Sequence, residues 1–210
     1  QCAEDAGPLA HPVQPPSYQE INNFYTLTIY EKGSEVVRMQ ANLLGAEAFR
    51  KATDLYFDRF DGKAATIEDF VGCMAEVSGR DMRQFMNWYR QAGTPVVDVE
   101  DLWDQAAGTY TLKLKQSCPP TPEASEKAPF VIPVRIGLVG ENGDIAFRTS
   151  DAPDAPLVEE TVLDFHESAQ SFTLYGVTER PVPSLLRDFS APVRLRNHIP
   201  DADLAHLIAP

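Results

Sequence analysis

The sequence predicts an α+β chain of two domains, a helical lobe followed by an all-β sandwich, and three observations carry that reading. Apolar residues recur at helical three-to-four spacing from Glu31 to about Gly93. At Gly93-Thr94-Pro95 the spacing switches to alternation. Beyond that point come about seven short alternating runs separated by turn-forming residues, the pattern of a sandwich. Residues 1–94 are therefore assigned to the lobe, 95–196 to the sandwich and 197–210 to the start of a further helical element.

In chain order, Gln1 to Ser17 carries four prolines, Pro8, Pro12, Pro15 and Pro16. Each fixes φ and biases its predecessor toward extended geometry, so the segment is expected to lie extended over a surface. A β-branched and apolar run then ends at Tyr30, and Glu31 is expected to open a helix, where a carboxylate suits the unpaired N–H groups of the first turn. Val36, Val37, Gln40, Leu43 and Leu44 form its stripe, and Gly45 stops it. Phe49, Ala52, Leu55, Tyr56 and Phe60 mark a second helix ending at Asp61-Gly62. Thr66 with Asp69 resembles a capping box for a third, whose buried stripe is Ile67, Phe70, Val71, Met74 and Val77. Asp81 is expected to cap a fourth, closed by Gly93. The aromatic residues of these helices fall at helical spacing and are read as core.

In the sandwich, Val97 and Val99 form one alternating run, and Tyr110, Leu112 and Leu114 another. Phe130, Ile132, Val134, Ile136 and Leu138 make the next, and Asn142-Gly143 predicts a tight hairpin into Ile145-Ala146-Phe147. Leu157–Phe165, Phe172–Val177 and Ala191–Arg196 supply the rest. Pro200-Asp201-Ala202-Asp203 then resembles a helix start, with Leu204, Leu207 and Ile208 on one side.

Composition excludes several classes of function. A net charge of −13, from 18 basic and 31 acidic residues spread along the chain, makes nucleic acid and anionic membranes poor partners. No run is long and apolar enough for a membrane span. Cys2, Cys73 and Cys118 are an odd set without C-x-x-C spacing, so reduced thiols in a cytoplasmic protein are expected, with Cys73 a buried hydrophobe. His11, His166, His198 and His206 sit at no metal-ligand spacing, and no metal is expected to bind this chain. The chain opens at Gln1 without an initiator methionine, as expected of a piece of a longer polypeptide.

The residue with chemistry to offer is Tyr30. A phenol is both donor and acceptor with a reference pKa of about 10, so near neutral pH it can donate to a developing oxyanion without losing its proton. The competing reading is an aromatic at a strand end packed on the helical lobe. Residue pattern leaves both open.

Three blocks in order, F-Y-T-L-T-I-Y-E-K-G-S-E-V-V-R-M at Phe24–Met39, D-G-x-A-A-T-x-x-D-F at Asp61–Phe70 and W-Y-x-Q-A-G-T-P-V-V at Trp88–Val97, resemble the bacterial aminopeptidase N family. The similarity runs over essentially the whole chain, including Phe189-Ser190-Ala191-Pro192-Val193. That resemblance implies a fragment of a zinc metallopeptidase of the gluzincin type: the rear of a thermolysin-like catalytic domain, a β-sandwich and the first residues of a helical domain. It also implies peptide substrates for the parent, zinc held by H-E-x-x-H and a later Glu, and a G-A-M-E-N loop. Neither motif occurs here, so the chain alone is expected to be inactive and to depend on the remaining domains of the same polypeptide. By motif match Tyr30 is the family's oxyanion donor, while Asn22 and Tyr25 fall near the pocket for the substrate's first side chain. Glu31 neighbours them and is expected to cap the helix. The alternative is a stand-alone sandwich module that binds a partner without catalysis. If the chain is a fragment, its lobe is expected to expose apolar surface and to associate.

Overall fold

A computed structural model of the chain describes residues 4–197 and 200–208. Cys2 and His198 lie outside the described residues, as does the side chain of His206. The chain forms two compact units, residues 1–94 with 119–131, and residues 95–118 with 132–210.

The first unit is helical. Helices α1 (Gly33–Leu44), α2 (Ala46–Phe60) and α3 (Ile67–Ser78) follow the apolar periodicity, and Gly45 and Gly79 end α1 and α3. Gly79 takes φ 68°, the left-handed geometry a glycine C-cap supplies. The capping box of α3 is complete: Thr66 Oγ1 accepts from the Asp69 N–H at 3.1 Å, and Asp69 accepts from the Thr66 N–H at 2.9 Å. The expected fourth helix is shorter. Asp81 instead accepts from the Arg83 N–H in a local turn, and a 3₁₀ turn at Gln84–Met86 runs into α4 (Asn87–Arg90). An Asp side chain that satisfies a near backbone amide competes with helix, which explains the delayed start. Phe85, Trp88 and Tyr89 are buried as expected, whereas Phe57 is 62% exposed.

Residues 119–131 are zipped onto the same unit. Gln91 and Ala128 exchange two hydrogen bonds (3.0 and 2.7 Å), Asn87 donates to the Pro129 carbonyl (2.8 Å), and Trp88 Nε1 donates to the Val131 carbonyl (2.7 Å) beneath the Phe130 ring. Within this loop Glu123 accepts from the Ala92 N–H and from the buried Lys127 ammonium, which also donates to Thr121. Burial acts to raise the Glu123 pKa, but the bonds from Lys127, Thr121 and backbone amides outweigh it and bring the carboxyl from 4.5 to about 2. A depressed carboxylate contributes stability that is present above its unfolded value and lost as pH falls through the folded one. Glu123→Gln is therefore expected to lower the unfolding midpoint at neutral pH and to flatten its fall between about pH 4.5 and 2. A variant whose acid sensitivity matches the parent's across that window rules out this contribution.

The second unit is the sandwich, with an order set by pairing. One sheet runs β6 (Ala169–Tyr175), β2 (Thr109–Ser117), β1 (Val96–Asp104), β8 (Arg194–Asn197), and β8 alone is parallel to its neighbour. In the other, β3 (Ile132–Gly140) pairs with β4 (Gly143–Ile145), β5 (Glu160–Phe165) and β7 (Val182–Leu185). Tyr110, Leu112 and Leu114 alternate inward on β2, while β3 is buried on nearly every residue. The two-residue turn Glu141-Asn142 closes β3 onto β4, with Gly143 at φ 116°. The strand β7 carries Pro183, and proline is tolerated because β7 is an edge strand. Leu157–Glu159 stays outside β5, joined to Phe147 only through Val158. After β7, Leu186, Asp188 and Phe189 take φ of 51–53°, a strained course for non-glycine residues. Arg187 pins it by a bidentate bond to Asp144 (2.8 and 2.6 Å), its guanidinium lying where a Cβ on Gly137 would sit within 2.0 Å. Ser190 Oγ donates to the Pro133 carbonyl and accepts from the Arg135 N–H. Among the described residues no helix is long and apolar enough to cross a membrane; α5 (Asp201–Ile208) ends the chain's described part.

Candidate functional site

The candidate site lies within the first unit and is built from the segment that leads into α1. Residues Ile21–Phe24 form a 3₁₀ turn, closed by Asn23 Oδ1 accepting from the Gln19 and Glu20 amides at 3.1 Å each. Tyr18 packs edge-on against Phe24, ring centroids 4.6 Å apart. The backbone then turns helical at Thr26, whose Oγ1 accepts from the Ile29 N–H at 3.2 Å. Thr28–Lys32 is a π turn, with the Gly33 N–H reaching back to the Thr28 carbonyl, and α1 continues from it without interruption.

This corrects two expectations. The β-branched run before Tyr30 is helical from Leu27, and Glu31 lies inside the first turns while the Thr26 hydroxyl does the capping. Strand propensity mostly measures fit to a half-buried pleated surface, and residues 24–30 pair with no strand; burial of Thr28 and Lys32 on the stripe that continues through Val36, Met39 and Gln40 decides for helix. The N-terminal segment also departs from an extended course. Turns bring Gly7 and Ala10 amides to the Glu4 and Gly7 carbonyls, and Asp5, Ala10 and Val13 are buried.

Tyr30 is 57% exposed and its hydroxyl has no hydrogen-bond partner among the described residues. Its ring stacks on that of Tyr25, centroids 6.0 Å apart and 20° from parallel. The Tyr25 N–H donates to the Asn22 carbonyl (3.1 Å), and Asn22, Tyr25 and Tyr30 are all exposed. Glu31 is exposed beside Tyr30; its carbonyl accepts from Ser34 Oγ. Among the described residues no hydrogen bond or ion pair joins the Asn22 amide or the Glu31 carboxylate to the tyrosine pair. Ile21 and Leu27 in the same segment are also exposed, at 63% and 51%.

Directly beneath lies a buried ion pair the sequence reading missed. Lys32 Nζ donates to Asp5 Oδ2 and to the Gly93 carbonyl, both at 2.9 Å. Asp5 Oδ1 accepts from the Gly93 N–H and Oδ2 from the Thr94 hydroxyl, again at 2.9 Å. Lys32 and Asp5 are 1% and 0% exposed. A charged residue on the apolar stripe, four before Val36, was the available signal.

Among the described residues no three His, Cys, Asp or Glu side chains gather where a metal ion could be held. His11 Nδ1 and His166 Nδ1 instead contact the backbone carbonyls of Pro12 and Asp164. Cys73 is buried, and burial pushes its thiol up, which fits a packing role.

Comparison with known proteins places the two parts of the chain in a common context. Residues 1–89 match the peptidase family M1 domain, and residues 93–198 match DUF3458, a domain of unknown function with an Ig-like fold. The chain is 44% identical over 209 residues to aminopeptidase N of Escherichia coli, covering 99% of the chain and 23% of that relative. It is 50% identical over 196 residues to aminopeptidase N of Caulobacter vibrioides, covering 93% and 21%. A crystal structure of Legionella pneumophila aminopeptidase A in complex with aspartic acid superposes with a TM-score of 0.78 at 29% identity, over 92% of this chain and 21% of that one. The chain thus spans between a fifth and a quarter of the length of these relatives.

Proposed function

Because this chain belongs to the peptidase M1 family, carrying a stretch of its peptidase domain followed by the DUF3458 Ig-like domain, we propose that its parent is a cytoplasmic zinc aminopeptidase that removes N-terminal residues from peptides. In this reading residues 1–94 close the catalytic domain, 95–196 are the sandwich and 197–210 begin a helical domain. The metal is bound by residues outside this chain, which is inactive alone. The observation that carries the reading is Tyr30: an exposed residue whose hydroxyl has no hydrogen-bond partner among the described residues, on a ring stacked against Tyr25. Such a phenol is free to donate its O–H to the oxyanion that develops on an attacked peptide carbonyl. Tyr25 and Asn22 form part of the wall met by the substrate's first side chain, and Glu31 borders it.

The full-length parent is expected to hydrolyse aminoacyl amides, to lose that activity on dialysis against a chelator and to regain it with zinc. No hydrolysis by the metal-replete parent overturns the proposal. The alternative, a sandwich module without catalysis, is separated by the parent's own sequence upstream of Gln1, where H-E-x-x-H and a later Glu are required for the enzyme.

A further inference from the structure

We propose that the buried pair Asp5–Lys32, with Gly93 and Thr94, is a positioning anchor that fixes the π turn carrying Tyr30; this rests on the role given to Tyr30 above. The argument starts from where Lys32 sits. It lies two residues beyond Tyr30 in the same turn, on the buried side, while Tyr30 faces out. Its ammonium is bonded to groups 27 residues before it and 61 residues after it, and Asp5 is bonded in turn to both Gly93 and Thr94. The turn is thereby tied to two remote segments through one charge pair. On its N-terminal side Thr28 is fully buried as well, its Oγ1 3.5 Å from Glu4 Oε1, so adjacent acidic residues meet both buried positions of the turn.

A stabilising core did not require this arrangement. Replacing a buried ion pair by apolar residues of similar volume is often neutral or stabilising, so its value lies in specifying one geometry. Here there is a geometry to specify. A π turn is a rare backbone, usually found as a single turn at functional sites, and it rotates the residues it contains relative to the helix that follows. Apolar contacts alone would let the turn relax to α-helix and swing the Tyr30 ring. A donor must come within about 2.7–3.1 Å of the developing oxyanion, and a 1 Å misplacement costs on the order of 100-fold.

The test uses the full-length parent with the paired substitution Asp5→Asn and Lys32→Met. Asn keeps an acceptor for the Gly93 amide and Met fills the lysine's channel, so both charges leave together. The paired variant is expected to fold, to lose about 10- to 100-fold in kcat with little change in KM, and to show faster amide hydrogen exchange across residues 27–33. In a Tyr30→Phe background the same pair is expected to cause no further loss of kcat, because there is no hydroxyl left to misplace. A kcat at the parent's level, or an equal loss in both backgrounds, overturns the anchor. Should Tyr30→Phe turn over at the parent's rate, the role of the phenol falls and the anchor with it; if Tyr30→Phe is slow but the paired variant is not, only the anchor falls. If the paired variant does not fold, Thr94→Val decides: removal of that single hydroxyl donor to Asp5 is expected to lower kcat in the same direction by a smaller factor, and an unchanged kcat overturns the proposal.

Discussion

Tyr30→Phe in the full-length parent is expected to reduce kcat on an aminoacyl amide by about 100- to 1,000-fold, the usual cost of removing one oxyanion donor. KM should move little, because a bond that strengthens only as charge develops contributes little to the ground state. The change is also structurally mild. Tyr30 is 57% exposed, its hydroxyl is bonded to nothing among the described residues, and phenylalanine keeps the ring that stacks on Tyr25. Stability should therefore stay within about 0.5 kcal/mol of the parent, as for other surface substitutions. The two readouts together separate chemistry from folding: a slow enzyme with an unchanged unfolding midpoint supports the donor role, and near-normal turnover eliminates it.

What could be read from the sequence divides along a physical line. Features set by local chemistry were legible. The Thr66–Asp69 box, the glycine stop at Gly45, and the alternation of Tyr110, Leu112 and Leu114 each follow from a few neighbouring residues. The motif around Tyr30 singled that residue out, and the structure shows it exposed and stacked on Tyr25. Features decided by distant partners were not legible. The run before Tyr30 has strand-like residues but becomes helix because Thr28 and Lys32 are buried against the N-terminal segment. Asp81 was available as a cap, yet its side chain found the Arg83 amide first. The β7 strand hid behind Pro183, since only the pairing shows that this residue sits on an edge. Asp5 carried no sequence signal, because its partners Lys32, Gly93 and Thr94 lie 27 or more residues away.

The second large effect is expected when the buried pair is broken rather than replaced. Lys32→Met alone leaves the Asp5 carboxylate fully buried, with only the Gly93 amide and the Thr94 hydroxyl to hold its charge. Removing one partner of such a pair typically costs about 3–5 kcal/mol, the penalty of an uncompensated charge in the interior. The transition of the domain containing it, followed by calorimetry on the full-length parent, should shift clearly downward. Adding Asp5→Asn should restore most of the loss, although the second substitution removes a further native hydrogen-bonding group. That reversal distinguishes a charge penalty from a packing defect: if Met were simply a poor fit in the lysine's channel, the double variant would be no more stable than the single one. Because Lys32 bridges segments 27 and 61 residues away, the recovered stability need not bring recovered turnover. A paired variant that melts like the parent but reacts slowly would mean that this charge pair serves the placement of Tyr30 more than the cohesion of the helices around it.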